Sequence, residues 1–159
     1  SHSADVDPVA MTETVKKLDH GYQFSGESYE LVQYEAFDTA SRIEAEITGY
    51  DNESLFGISY APDMENAGML TYLFDVKEGR IGFYNTNTIF DADPQSYMDF
   101  DFSSGDPLRI SILISDGVAT LYVNDEIALT ARMYQSQGLN WEFYSIKSDV
   151  SFDNIRFFN

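Results

Sequence analysis

Short runs in which apolar and polar residues alternate, with turn residues at roughly ten-residue spacing, fill the chain from Gly21 onward. In "SRIEAEITGY", Ile43, Ala45 and Ile47 alternate with polar residues. Successive side chains of a strand point to opposite faces, so such a run forms a strand with one buried face. No heptad repeat, long amphipathic helix or β-α-β alternation is present. The pattern predicts an all-β fold, an antiparallel β-sandwich of about a dozen strands.

Turn residues between these runs predict three hairpins. "KEG" separates "GMLTYLFDV" from "RIGFYNT", and Gly79 can supply the positive φ that the turn needs. "DG" at 116–117 separates "LRISILIS" from "VATLYV", and "ND" at 124–125 precedes "EIALTARM". In "LRISILIS" the residues at 108, 110, 112 and 114 are all apolar and are predicted to share the buried face.

The chain length fits a single domain. With 159 residues, the chain has room for one sizeable core, and residues 20–159 are interpreted as a single β-sandwich module. Residues 1–19 are interpreted as lying outside it: "SHSADVDP" as a cloning remnant followed by a linker, and "VAMTETVKK" at 9–17 as a short helix or an ordered connector. This arrangement suits a module from the end of a longer polypeptide.

Charge and composition exclude several classes of partner and of site. The net charge of −18 repels phosphate backbones and anionic lipid, so no nucleic acid and no membrane surface is expected as a partner. The apolar runs are too short to span a bilayer, which argues against membrane insertion. The absence of Cys excludes disulfides, thiol catalysis and zinc-thiolate sites. Neutral ligands and divalent cations remain compatible with this composition.

The stretch "PLRISILISDGVATLYVNDEIALTARMY", residues 107–134, carries a family resemblance. It is similar to the C-terminal β-sandwich of glycoside hydrolase family 32, whose pattern ends in "VEVFVNDGEAVLTSRIYP". The matching elements are the turn at 116–117, "LYVND" at 121–125 and "LTARMY" at 129–134. Upstream, "YQFSGESYELVQYEAF" resembles the opening of such domains more weakly. The resemblance covers residues 20–159 and implies a concanavalin A-like, jelly-roll sandwich.

Two departures from the family pattern bear on the function that it implies. Ala119 stands at the usual acidic position, and the Asp-Arg pair of the middle strands is not recognisable around "FDVKEGRIGF". These changes weaken the expectation of a tight dock onto a catalytic domain. They leave room for a related free-standing use of the same sandwich, the fructan-binding carbohydrate-binding module family 66.

The resemblance implies a non-catalytic module of a secreted bacterial enzyme that acts on fructans. Family 32 enzymes carry their catalytic motifs "WMNDPNG", "RDP" and "EC" in a separate propeller, and none of these occurs in this chain. The chain is therefore not expected to be an enzyme by itself. The implied partners are levan- or inulin-type fructan and a catalytic domain of the same polypeptide, in an extracellular or cell-surface location. The alternative is a structural sandwich that braces the propeller without binding sugar.

Glu44 and Glu46 in "RIEAEI" raise a further alternative, a small glucanase. Residues i and i+2 of a strand share a face with Cα atoms roughly 6.5–7 Å apart. Glycosidases use carboxyl separations of about 5–5.5 Å or 6.5–9.5 Å. The pair resembles the Glu-x-Asp-x-x-Glu strand of concanavalin-like glucanases, but Ala45 stands between the two glutamates and no Trp is near. A solvated polar face of an outer strand is the simpler interpretation.

Two clusters combine the aromatic and charged side chains that bind neutral sugars. The first is "NWEFYS", with Trp141, Glu142 and Tyr144. Alternation places Trp141 on the opposite face from the other two, so Trp141 is either a sugar platform or part of the core. The second is "FDVKEGRIGFYN", with Asp75, Arg80 and Tyr84 close to a turn. Further candidates, with no stronger claim, are Glu27, Glu30 and Arg42.

The ending "SFDNIRFF" suggests a structural metal. A "DN" pair in a final strand is typical of jelly-roll binding modules in which the acid helps to hold calcium. Asp153 and Asn154, with backbone carbonyls, could supply some of the six to eight oxygens that calcium takes. Structural calcium is therefore a candidate cofactor, with no catalytic role.

Overall fold

A computed structural model describes residues 3–4, 6–35, 41–60, 70–85, 92–132 and 140–158. These residues form fifteen strands and no helix. The strands are β1 (Ser3–Ala4), β2 (Ala10–Met11), β3 (Lys16–Lys17), β4 (Tyr22–Ser25), β5 (Tyr29–Tyr34), β6 (Ser41–Thr48), β7 (Leu55–Tyr60), β8 (Leu70–Asp75), β9 (Arg80–Tyr84), β10 (Ser96–Asp99), β11 (Leu108–Ser115), β12 (Val118–Val123), β13 (Glu126–Arg132), β14 (Trp141–Ile146) and β15 (Asp149–Phe158).

The strands pair into two antiparallel sheets that pack face to face. Sheet A has the order β13-β12-β11-β6-β15-β4-β3, with β1 pairing to β15 as its eighth strand. Sheet B has the order β10-β9-β8-β7-β14-β5-β2. The prediction of an all-β antiparallel sandwich is confirmed. Among the described residues there is no helix that could cross a membrane.

Alternating residues of the two sheets build the core between them. On β6, Ile43, Ala45 and Ile47 are buried while Glu44 and Glu46 between them reach the surface, as the pattern predicted. On β11, Leu108, Ile110 and Ile112 are buried. These side chains join the inward residues of sheet B in one continuous apolar cluster. Because burial alternates along each of these strands, a slip of one residue in register would expose the whole set.

The three predicted hairpins are confirmed. β8 and β9 pair with Asp75 opposite Arg80, and Gly79 in their turn has a φ of 68°. The β11–β12 turn has positive φ at both central positions, 116 and 117, and so does the β12–β13 turn at Asn124 and Asp125. Two positive φ values describe a turn whose twist matches that of the flanking strands. The "DG" and "ND" pairs therefore set the registers of β11, β12 and β13.

Described residues 3–4 and 6–19 belong to the sandwich and do not lie outside it, and residues 9–17 form an ordered connector, which was one of the two alternatives, and not a short helix. β1 pairs with β15, β2 with β5, and β3 with β4. Val15, between β2 and β3, is buried in the core cluster. The physical reason is that this segment's backbone groups find partners on both sheet edges, which satisfies them better than an isolated helical turn would.

Candidate functional site

Trp141 belongs to the core and is not a surface platform. Its side chain is 0% exposed. The indole stacks on Tyr34 at a centroid distance of 4.9 Å and meets Phe143 edge-on at 5.3 Å. A ring enclosed in this way cannot pack against an incoming sugar. The structure therefore selects the core alternative that strand alternation had left open for this residue.

Glu142 and Tyr144 lie on the outer side of sheet B but are also fully buried. The Glu142 Oε1 atom accepts hydrogen bonds from the Tyr29 hydroxyl at 2.6 Å and from Ser59 Oγ at 3.2 Å. The Tyr144 hydroxyl shares a 2.7 Å hydrogen bond with Thr71. Burial raises the pKa of Tyr144 above its ordinary value. These polar atoms are bound within the fold, so neither residue offers a free contact to a ligand.

The second predicted cluster, Asp75, Arg80 and Tyr84, lies on the same outer face of sheet B. Tyr84 packs with Tyr144 in a small apolar cluster and is 5% exposed. Asp75 caps its own turn by accepting the Glu78 backbone N–H at 3.0 Å. The Arg80 guanidinium lies 5.1 Å from the Tyr97 ring centre, which is a cation–π contact. Only Arg80 and Asp75 remain accessible enough to meet a ligand, and sugar binding by this cluster stays a prediction.

The predicted calcium residues lie at a bulge of β15. The Asp153 Oδ1 atom accepts the Asn154 backbone N–H at 2.9 Å, and Asn154 is exposed with a φ of 50°. Within the described ranges, no three Asp, Glu, His or Cys side chains come together as a group that could hold a metal ion. Since calcium takes six to eight oxygens, Asp153 and Asn154 could supply only a few of them, and structural calcium stays a prediction.

A cavity of about 270 Å³ opens on the outer face of sheet A, and this cavity is the candidate site. Four adjacent strands, β12, β11, β6 and β15, form its floor and walls. Its lining residues are Glu44, Ala45, Glu46, Arg109, Ile110, Ser111, Tyr122, Asp125, Asn154 and Arg156. We call it the sheet A cavity. It combines two guanidinium groups, three carboxylates and one phenol ring on a single surface.

Strand register explains why these side chains meet. Ser111 lies opposite Tyr122 on β12 and opposite Glu44 on β6, and Glu44 lies opposite Arg156 on β15. Adjacent strands lie about 4.8 Å apart, so the row from Tyr122 to Arg156 spans about 14 Å. In the next row, Arg109 lies opposite Glu46.

Four of the charged side chains in and beside the cavity form two ion pairs, and two others do not. Arg109 Nη2 lies 2.9 Å from Asp125 Oδ2, and Arg42 Nε lies 3.4 Å from Glu44 Oε2 at the cavity rim. Neither Glu46 nor Arg156 forms an ion pair or a side-chain hydrogen bond with any residue that the structure describes. The cavity therefore keeps one strong donor group and one strong acceptor group for a ligand.

The sequence pointed to Glu44 and Glu46 of this site, but as a possible catalytic pair or a solvated strand face and not as sugar-binding residues. Alternation correctly placed Glu44 and Glu46 together on a solvated outer face. It missed Arg109, Tyr122 and Arg156, which lie 63 or more positions further along the chain. The only signal that could have found them is the pairing of β6 with β11 and β15, which no local pattern shows.

Comparisons with known proteins agree with this architecture. No protein-family model and no curated protein sequence matches the chain. Among solved structures, a carbohydrate-binding module CBM66 from Bacillus subtilis is similar, with 14% identity, a TM-score of 0.74 and coverage of 98% of each chain. The Caenorhabditis elegans galectin LEC-6 has 14% identity, a TM-score of 0.59 and coverage of 81% of this chain and 89% of its own.

A third similar structure is the VIP36 exoplasmic/lumenal domain in a Ca²⁺/Man-bound form. It has 9% identity, a TM-score of 0.69 and coverage of 94% of this chain and 82% of its own. At such identities the similarity is one of fold. It confirms the predicted antiparallel, jelly-roll β-sandwich, since the three proteins share that architecture.

Proposed function

We propose that this chain is a non-catalytic carbohydrate-binding module and that the sheet A cavity binds the sugar. The observation that carries the proposal is the meeting of Arg156, Glu46 and Tyr122 in one open cavity. A guanidinium can donate to two neighbouring hydroxyls, a carboxylate can accept from them, and a phenol ring can pack on the C–H face of a sugar. A binding site for a neutral polyol needs these three functions.

The electrostatics favour a neutral polymer over an anionic one. The chain carries a net charge of −18, and the cavity itself holds more carboxylates than guanidinium groups. An anionic polysaccharide would be repelled at long range, whereas a neutral one would not. A shallow site with few polar contacts gives weak affinity for each site.

Fructan is the proposed ligand class, of the levan or inulin type. The support is the resemblance of residues 107–134 to glycoside hydrolase family 32, together with the shared fold of the CBM66 module. Residues 133 and 134 of that stretch lie outside the described residues. A catalytic domain as partner and an extracellular or cell-surface location in a bacterium follow from the same resemblance and belong to the same proposal.

The test is calorimetry and affinity electrophoresis against levan, inulin and a β-glucan, with and without calcium. We expect fructan binding that Arg156→Ala and Tyr122→Ala each weaken by about tenfold, the effect of losing one good contact. Arg80→Ala and Tyr97→Ala on sheet B are the matched controls, since they remove the same side-chain types from the opposite face, and they should leave the affinity unchanged.

Other outcomes separate the alternatives. Loss of binding in Arg80→Ala but not in Arg156→Ala would move the site to sheet B. Absence of binding to every polymer would favour a structural brace for a catalytic propeller. Hydrolysis of the β-glucan that is abolished by Glu44→Gln would favour the small glucanase. Binding that requires calcium would support the predicted metal.

A further inference from the structure

The final strand contains one extra residue beside the sheet A cavity. Asp153 lies opposite Glu46 and Arg156 lies opposite Glu44, so β15 has two residues, Asn154 and Ile155, where β6 has only Ala45. This is a β-bulge, which bends the strand and increases its local twist. Asn154 has a φ of 50°, a conformation that L residues rarely adopt but that Asn tolerates best.

The bulge keeps the alternation of this strand in phase, because Phe152 and Phe157 are five residues apart and a regular strand would place them on opposite faces. Phe152 and Phe157 point into the core, while Asp153 and Arg156 face outward. Without Asn154, Ile155 would lie opposite Ala45, and Arg156 would still lie opposite Glu44. Every other side chain of β15 would keep its face and its partner, so a regular strand is available to a chain that lacks Asn154, although not to the present sequence.

The bulge is closely packed on one side and open on the other. A Cβ at Gly21 would overlap the Phe152 carbonyl and approach the Asp153 Cα within 2.7 Å, so only glycine fits beside the bend. The Ile155 backbone N–H donates to the His20 carbonyl at 3.3 Å. On its other side the bulge opens to the sheet A cavity, where Asn154 and Arg156 both form part of the wall.

We infer that the Asn154 bulge is a positioning device for the sugar site: it bends β15 so that the Arg156 guanidinium stands at the cavity wall, beside Glu44 and Glu46. Asn154 is thus a positioning residue that acts through Arg156. The Asp153 carboxylate, which accepts the Asn154 N–H, fixes the bend. This inference rests on the proposed function and gives the "DN" pair a role that needs no metal. A bulge beside a binding site commonly re-aims a side chain in this way.

Deletion of Asn154 tests the inference directly. The deletion should fold with a regular β15 and should weaken fructan binding by about tenfold, because a binding group must stand within about 0.5 Å of its productive position. The matched control is Asn154→Gly, which keeps the bulge and its positive φ but removes the amide. It should lose clearly less affinity than the deletion, because it keeps the shape of the bulge.

A double-mutant cycle distinguishes an effect of the bulge on the position of Arg156 from a general destabilisation of the sheet. If the bulge acts through Arg156, deleting Asn154 in an Arg156→Ala background should cost little further affinity, so the two losses should not add. Thermal unfolding of each variant shows whether the fold is intact.

Four results would overturn the inference. The first two are an unchanged affinity in the deletion variant and equal losses of affinity in Asn154→Gly and in the deletion variant. The third is additive losses in the double-mutant cycle. The fourth is a deletion variant that fails to fold, which would mean that the bulge is needed for folding. A parent chain that binds no sugar would instead refute the proposed function, and the inference with it. Titration of the parent chain therefore tests the proposed function, and titration of the variants tests the role of the bulge.

Discussion

Two carboxylates show how strongly the position of a residue decides its role. Glu30 and Glu142 are both 0% exposed in a chain with 27 acidic residues. Glu30 accepts hydrogen bonds from Thr14 Oγ1 at 2.7 Å, from Ser25 N and Oγ at 3.1 and 2.9 Å, and from the Gly26 N–H at 2.9 Å. It therefore ties the N-terminal segment to the β4–β5 turn. As a sugar-binding candidate it is wrong, because no part of it reaches the surface.

Replacing Glu30 by Ala should destabilise the chain by about 3 kcal/mol, because it leaves several donors without their charged acceptor. The exposed Glu27, on the same turn, is the matched control, and Glu27→Ala should change the free energy of unfolding by less than about 0.5 kcal/mol. Urea unfolding followed by circular dichroism measures both values. Equal effects of the two substitutions would contradict the structural role of Glu30.

For single residues, the sequence alone could not tell which carboxylates are buried and which are exposed. Both Glu30 and Glu46 lie within strands, and each is followed by an apolar residue. What distinguishes them is the turn that folds over Glu30 and the open cavity that receives Glu46. Those surroundings come from residues that the local pattern does not contain.

Individual strands and hairpins were more predictable than single residues. Turn pairs and alternation identified the β8–β9, β11–β12 and β12–β13 hairpins and the buried face of β11. The sheet A cavity was not predictable, because it depends on β6 lying between β11 and β15. Non-local pairing of this kind is set by the whole core, and a local pattern carries no information about it.

Two glycines of sheet B give a matched test of packing within strands. A Cβ at Gly57 on β7 would overlap the Tyr72 carbonyl oxygen and lie 2.6 Å from the Tyr144 hydroxyl. A Cβ at Gly82 on β9 would meet only side chains, at 3.0 Å or more. Because a backbone oxygen cannot give way as a side chain can, Gly57→Ala should cost at least about 2 kcal/mol and Gly82→Ala about 1 kcal/mol or less.

Thermal unfolding should show this difference as a clear separation in Tm. For a chain of this size, 1 kcal/mol corresponds to about 2–4 °C. If Gly82→Ala proved the more harmful of the two, the packing of β7 against β8 and β14 would have to be revised.

For the whole molecule, aromatic rings dominate the interior. Eleven Tyr and twelve Phe supply much of a core that also contains several buried hydroxyls. Tyr72 spans the two sheets, since its hydroxyl on β8 donates to the Ala119 carbonyl on β12 at 2.9 Å. The sandwich was predictable at this scale because alternation and turn spacing recur along the entire chain. The function was not predictable from these features, since they describe packing only.

The buried tyrosines predict a loss of stability in alkaline solution. Burial raises the pKa of Tyr34, Tyr60, Tyr72 and Tyr144 above the ordinary value of about 10. In the unfolded chain these groups ionise near that ordinary value while the folded chain keeps them neutral. Their contribution to stability is thus complete below about pH 10 and decreases as the pH rises above it.

Tm measured between about pH 8 and 11 should therefore fall steeply toward the alkaline end, within the range where free tyrosine ionises. A Tyr60→Phe variant removes one raised group without removing its ring, so its Tm should fall less with pH than that of the parent chain. A Tm that stays constant across this range would contradict the burial of these hydroxyls.

The enclosure of Trp141 decides how this protein is best observed. It is the only Trp of the chain, and its indole is sealed between rings of both sheets, including Phe157 at 5.2 Å. The fluorescence of Trp141 will shift when the sandwich unfolds, so it reports folding in every variant. It will also shift if Phe157 moves away from the indole. A sugar on the outer face of sheet A would leave that emission unchanged. Quenching of tryptophan, a common lectin assay, would thus miss a ligand in the sheet A cavity.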